Sequence, residues 1–217
     1  MVLAAVVVAV ATIRREFYAS RPPVAAADNN QPPTFVEGWQ GFAANGVLLG
    51  NSAAPIRLIE FADLECPFCA KFHARALQLK KLYPGRVAVV FVHFPLSVHR
   101  FARPAARAAE CAGEQGRFEA FIGGVFEKRD SLGLKTWQSF ASDAKVGDTV
   151  RFARCASASG ALRRVDSGVQ LGTRLSVTAT PTVIINGWRF AHPPYDSLPE
   201  IVARLTAGDR LDSRKPK

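Results

Sequence analysis

Cys66 and Cys69, the ends of Cys66-Pro67-Phe68-Cys69, can close a small disulfide ring and open it again. Exchange chemistry of that kind needs one thiol that attacks as a thiolate and a second, sheltered thiol that resolves the mixed disulfide. Cys66 is the candidate attacker. It falls at the N-cap of a helix read from Pro67 to Tyr83, where the positive end of the helix dipole favours a thiolate. Pro67 suits the first helical position, where a missing N–H costs nothing. Cys69, one turn inside, is the candidate resolver, and its deprotonation calls for a nearby buried acid. Glu60 is the candidate, because it lies in the mostly apolar run Ile56 to Phe61, where an acid needs a reason. Asp63 and Glu65, in the turn that follows, read as surface or helix-start acids.

Other uses of a CxxC pair fit less well. A structural zinc site wants four ligands, and the remaining cysteines, Cys111 and Cys155, are far apart. Covalent haem needs a histidine directly after the second cysteine, and Ala70 stands there. No metal and no cofactor are therefore expected. Thr178-Ala179-Thr180-Pro181-Thr182 is the second chemical feature, because a proline at the start of a buried strand cannot donate to the ladder. The residues alone favour an ordinary trans bond there, since cis is a minority state. Cys111, on the small-residue face Ala108 to Ala112, and Cys155, near a helix end, read either as buried free thiols or as a disulfide. His73, one turn beyond Cys69, is expected to be partly exposed. His93 is expected to pack at a strand end, and His99 and His192 to be solvated in loops.

These residues need a frame. Ile56 to Phe61 reads as a buried strand, and the helix from Pro67 to Tyr83 as amphipathic, with Phe68, Phe72, Leu79 and Leu82 inward and Lys71, Arg75, Gln78 and Lys81 outward. Arg86 to Phe94 is a second buried strand, which with the first makes a parallel pair and a right-handed crossover. From Arg100 to about Leu175 the pattern is helical: Arg117 to Lys128, Thr136 to Ala144, a turn capped by Asp148, and a longer helix capped by Ser157 or Ser159. Strand character returns at Thr182 to Ile185. Asn186-Gly187 signals a hairpin into Trp188-Arg189-Phe190, and Ser197 to Leu205 is a closing helix. The order β-α-β, helical block, β-β-α is an α/β sheet fold with a helical insertion.

A chain of 217 residues, 48% hydrophobic and 21% charged, has the composition of one globular domain. Its net charge of +10 comes from Lys and Arg spread along the chain, without a dense block or interleaved aromatics, so no nucleic-acid partner is expected. Val2 to Ile13 is apolar apart from Thr12, with the length of a signal-peptide core and short for a membrane span. No basic residue precedes it and Arg14-Arg15 follow it, the reverse of an export signal. A start codon assigned too far downstream would account for both. Residues 1–18 are read as an uncleaved targeting or anchor segment, 19–34 as a Pro-rich linker, 35–208 as the folded domain with its insertion at about 98–176, and 209–217 as a polar tail.

Taken in order, Glu60-Phe61, Cys66-Pro67-Phe68-Cys69, His93-Phe94-Pro95-Leu96, the helical block, and Ala179-Thr180-Pro181-Thr182 with Asn186-Gly187 resemble the DsbA family of thiol:disulfide oxidoreductases, in the thioredoxin-like superfamily. The match runs from about Gly46 to Leu205. It implies a thioredoxin-like fold with a helical insertion, a nucleophilic Cys66, a resolving Cys69, a buried proton-relay Glu60 and a cis Pro181 beside the disulfide. Thr180 would offer backbone hydrogen bonds to a bound substrate strand, with Pro67 and Phe68 at the same surface. In an oxidising compartment the resemblance also implies a Cys111–Cys155 disulfide, worth about 4 kcal/mol in the chain-entropy model. Its partners would be protein thiols and disulfides and a quinone-linked membrane redox partner, and the chain a monomer in the periplasm or cell envelope. Phe68 departs from the family's best-known oxidase, which has a histidine there, so a milder thiolate and potential are expected. A reductase or isomerase of the same fold is the alternative, followed by a copper metallochaperone using Cys66, Cys69 and His73.

Overall fold

The computed structural model describes residues 32–211. The apolar segment, most of the linker and the last residues of the tail fall outside the described residues. The first described elements are a two-residue strand β1 (Thr34–Phe35), a 3-10 helix (Trp39–Asn45) and a short strand β2 (Val47–Leu49). Then come β3 (Ile56–Ala62), α1 (Pro67–Leu82) and β4 (Val87–His93), followed by the helical block α2 (Ala102–Gly113), α3 (Phe118–Glu127), α4 (Trp137–Asp143), α5 (Thr149–Ser157) and α6 (Arg163–Arg174). The chain returns through β5 (Thr182–Ile185) and β6 (Trp188–Phe190) to α7 (Leu198–Thr206). Among the described residues no helix is long and apolar enough to cross a membrane.

The six strands form one mixed sheet in the order β1-β6-β5-β3-β4-β2. β3 runs parallel to β4 from Ile56 opposite Val87 to Ala62 opposite His93, and antiparallel to β5. Strands buried on both faces read as continuous apolar runs, which is why β3 and β4 were legible. Side chains still alternate between the faces. Leu58, Ala62, Val89, Phe91, Val183 and Ile185 pack under α1, α7 and the helices of the block. Ile59, Phe61, Val90, Val92 and Ile184 pack against Phe42 of the 3-10 helix and Leu171 of α6. α6 lies close on β4 because Gly168 has no side chain: a Cβ there would sit 2.6 Å from the His93 carbonyl oxygen. The β5–β6 hairpin turns on Asn186 (φ 45) and Gly187 (φ 90), the positive pair that a tight hairpin of this twist demands.

Two local expectations are corrected. The buried stripe of α1 is Cys69, Phe72, His73, Ala76 and Leu79, whereas Phe68 and Leu82 are 62% and 66% exposed. At 3.6 residues per turn both fall off the edge of that stripe. The long helix of the block is not capped by Ser157 or Ser159. Ser157 ends α5, and α6 starts after Leu162, whose N–H is accepted by Asp166 Oδ2 at 3.0 Å. An acid in the first turn reaches back to the N–H of the N-cap residue, and no side chain at the N-cap bonds the first turn. Thr136 and Asp148 do cap α4 and α5, accepting from Ser139 N and Arg151 N. β1 and β2, only two and three residues long, carry too little pattern to be read.

Candidate active site

The site sits where β3 feeds α1. Cys66 is the N-cap of α1 in an extended conformation, with Pro67 in the first turn. Its N–H donates to the Asp63 carbonyl at 3.1 Å and its own carbonyl accepts from Ala70 N at 3.2 Å, so the turn and the first helical bond hold the residue from both sides. β5 is antiparallel to β3 with Thr182 opposite Phe61, and this register brings the residues just before β5 to the mouth of the turn. The Thr180–Pro181 peptide is cis, and Cys66 Sγ lies 3.3 Å from the Thr180 carbonyl oxygen. Phe68 and Pro67 are exposed beside it, and the Thr180 hydroxyl is buried without a hydrogen-bond partner among the described residues.

The two thiols are unequal. Cys66 keeps 4% of its surface open and Cys69 none. Cys69 donates a hydrogen bond to the Cys66 sulfur, the largest influence on it, and backbone N–H groups of the first turn add to this against the opposing effect of burial. Together they lower the Cys66 thiol from about 9 to about 5. Cys69 moves the other way. Burial pushes its thiol well above the ordinary range, and the neighbouring Cys66 adds to the rise, although the Asp63 N–H approaches its sulfur at 3.4 Å. At neutral pH the pair therefore holds one thiolate, at the outer cysteine, and one thiol.

Beneath the pair, Glu60 is fully buried and is hydrogen-bonded through Oε1 to His73 Nδ1. His73 is 2% exposed, not partly exposed as its position beyond Cys69 suggested, because it belongs to the inner stripe of α1. Asp63 is likewise buried, contrary to its reading as a surface acid. One of its oxygens accepts from Glu65 N at 2.8 Å, and the other from Leu96 N and His99 Nδ1, both at 2.8 Å. Glu65 accepts from Phe101 N at 2.6 Å. The two acids thus tie the turn before Cys66 to the segment between β4 and α2. His99 is a partner in this tie and not a freely solvated loop residue. His93, buried at the end of β4, meets Glu110 at 3.1 Å.

Sequence reasoning passed over Tyr195. Its hydroxyl donates to the Phe68 carbonyl at 3.2 Å, its ring meets Phe72 edge-on, and Lys71 Nζ sits 4.8 Å from its centroid. Burial, then the nearby Cys69 and Cys66, raise its phenol. No local pattern marks it, since it reaches the site only through the fold. Cys111 and Cys155 lie away from this site, in α2 and α5, joined as a disulfide with Cα atoms 5.8 Å apart. No group of three or more His, Cys, Asp or Glu among the described residues could hold a metal ion, and His73, the histidine a copper site would need, already spends Nδ1 on Glu60.

A thioredoxin family model matches residues 43–204. Among solved structures, the chain is similar to α-DsbA1 of Wolbachia pipientis, with a TM-score of 0.62, 26% identity, and 76% of this chain and 92% of that chain covered. It is similar also to oxidised BdbD of Bacillus subtilis, with a TM-score of 0.62, 21% identity, and 80% and 95% covered. A curated relative, the Na(+)/H(+) antiporter NhaA 1 of Mycolicibacterium gilvum, is 32% identical over 162 residues, 73% of this chain and 26% of the relative. The chain thus spans about a quarter of the length of the curated relatives it matches.

Proposed function

This chain belongs to the thioredoxin family, and we propose that it is a DsbA-like thiol:disulfide oxidoreductase that exchanges a Cys66–Cys69 disulfide with the thiols of extracytoplasmic proteins through a mixed disulfide at Cys66, a reading its likeness to α-DsbA1 supports. A substrate thiolate attacks Cys66 Sγ, the Cys66–Cys69 bond breaks, and Cys69 leaves and takes up a proton that Glu60 carries. A second substrate thiol then displaces Cys66 as its thiolate, so the substrate gains a disulfide and the enzyme is left as the dithiol. Thr180 and Pro181 flank the reacting sulfur and, with Pro67 and Phe68, form the surface a substrate strand meets. A membrane redox partner reoxidises the dithiol, the N-terminal apolar segment tethers the domain, and the chain acts as a monomer. The likeness to part of a sodium/proton antiporter supports a setting at a membrane; ion transport is that relative's activity and is not proposed here.

The observation that carries this reading is the unequal placement of the two thiols: Cys66 caps α1 beside the Thr180 carbonyl as the outer sulfur, while Cys69 is fully buried one turn inside, which lowers the first thiol and raises the second. A low leaving-group pKa stabilises the reduced enzyme and makes its disulfide oxidising. The direction of electron flow follows from the potential. A value near about −120 mV marks an oxidant and one near about −270 mV a thioredoxin-like reductant. Equilibration with glutathione is expected to place it between these, nearer the oxidant. Cys66→Ser is expected to abolish turnover and Cys69→Ser to accumulate mixed disulfides with reduced protein substrates. Turnover retained by Cys66→Ser would overturn the mechanism.

A further inference from the structure

The proton that Cys69 exchanges needs a route, and the site holds a second buried pair suited to it. In β3, Leu58 and Ala62 share a core with Cys69 and Phe72, while Ile59 and Phe61 face the opposite side of the sheet. Strand alternation therefore turns Glu60 toward α1, where Cys69 and His73 stand one turn apart on the same buried stripe. Glu60 Oε1 is bonded to His73 Nδ1, while Glu60 Oε2 and His73 Nε2 are buried without a partner among the described residues. The elements packed on His73 from outside α1 meet it with aromatic rings: Phe91 of β4 edge-on at 5.7 Å and Phe126 of α3 at 5.2 Å. A buried carboxylate with one oxygen clamped by a histidine and the other unclaimed is held in one orientation, with one oxygen left to accept a proton.

We propose that His73 is the positioning residue of the proton relay: it holds Glu60 Oε1 so that Oε2 takes the proton of Cys69 during resolution and returns it when the disulfide opens. In resolution the Cys69 S–H proton passes to Glu60 and the thiolate attacks Cys66 Sγ of the mixed disulfide. The Cys66–partner S–S bond breaks as Cys66–Cys69 forms, and the partner leaves as a thiolate. The dithiol loses two electrons and the partner disulfide gains them. The proposal rests on the exchange chemistry given above and concerns one step of it.

Stopped-flow reaction of the reduced full chain with oxidised glutathione separates that step. Formation of the Cys66–glutathione mixed disulfide uses the Cys66 thiolate alone, whereas its resolution uses Cys69. His73→Leu is expected to slow resolution by about tenfold or more, the scale of a misplaced general base, while formation keeps its rate and the Cys66 thiolate its titration. Glu60→Gln keeps a bond to His73 but cannot take the proton, and is expected to slow resolution alone as well. His73→Asn places an amide N–H near the Nδ1 position and is expected to restore the rate. A merely structural role would slow both steps together. Resolution at the wild-type rate in His73→Leu or Glu60→Gln would overturn the proposal, and so would equal loss in both steps. Should His73→Leu fail to fold, Glu60→Gln and His73→Asn decide the matter by the same readouts. Wild-type protein that forms no mixed disulfide at Cys66 would instead overturn the exchange chemistry itself.

Discussion

At the scale of single residues, the low Cys66 thiol depends first on the Cys69 S–H that it accepts from, and only then on the backbone of the first turn. Cys69→Ala removes that donor, so the thiolate absorbance of Cys66 is expected to titrate well above about 5, while Cys69→Ser, which keeps an O–H, stays lower than Cys69→Ala. The same shift sets how the reduced protein responds to acid. A thiol lowered by folding stabilises the fold fully above its ordinary value of 9, and the contribution is lost as pH falls through about 5. The disulfide form has no such titration, so the stability difference between reduced and oxidised protein should drift steadily between those limits in urea melts. His99 has the opposite sign. Burial alone would lower it, but the Asp63 carboxylate, with Glu65 and Cys66 behind it, outweighs burial and raises it. Its contribution is full below the ordinary histidine value and fades as pH rises through the raised one. His99→Gln is therefore expected to flatten that part of the stability profile, and an unchanged profile would show that the Asp63 pairing carries no net stability.

At the scale of elements, Asp63 joins the β3–α1 turn to the segment after β4, because two backbone N–H groups and one imidazole converge on its buried carboxylate. Asp63→Ala leaves the Glu65 and Leu96 N–H groups without their acceptor. It should cost about 1–3 kcal/mol per buried donor that finds no substitute, measured as a shift of the urea midpoint. None of this was legible in the sequence, where Asp63 is one acid in a polar turn. What was legible depended on period and punctuation. β3 and β4 are uninterrupted apolar runs, Asn186-Gly187 names its own turn, and Thr136 and Asp148 name their helices. Phe68 and Leu82 misled because they share an arc with Phe72 and Leu79, whereas the inner stripe is centred further round the helix and runs through Cys69 and His73, the latter a residue a hydropathy reading puts outside. α6 misled because it starts after Leu162 with no capping side chain, its first turn tied only by Asp166 reaching back to the Leu162 N–H. Cys66 and Cys69 were plain from spacing, whereas Tyr195 and the Asp63–His99 pair exist only through contacts far apart in sequence. Phe68, 62% exposed, gains little from burial in the fold, so Phe68→His is expected to leave stability nearly unchanged. An imidazolium beside Cys66 should lower its thiol further and raise the potential, both readable in the glutathione equilibrium.

At the scale of the whole molecule, the insertion and the thioredoxin-like sheet are held to different degrees by covalent means. The disulfide joins Cys111 of α2 to Cys155 of α5, 44 positions apart, and so closes a loop wholly inside the helical block. By chain entropy such a loop restricts the unfolded state by about 4 kcal/mol at most, with strain and residual structure reducing what is measured. The aromatic contacts that Phe121 makes with Phe140 and Phe152 lie inside the same loop and do not involve the two sulfurs. The block also adjoins the redox site, through Phe126 of α3 against His73 and Glu110 of α2 against His93. Two outcomes are thereby distinguished. If the disulfide only limits the unfolded chain, Cys111→Ala with Cys155→Ala lowers the urea midpoint by an amount within that bound and leaves the Cys66 titration and the resolution rate as they were. If the bond instead fixes the packing of α3 on His73, the resolution rate falls along with the midpoint. The first outcome is expected, because Phe126 and Phe118 are buried in the core that carries Phe91 and are held there by burial whether or not the two sulfurs are joined.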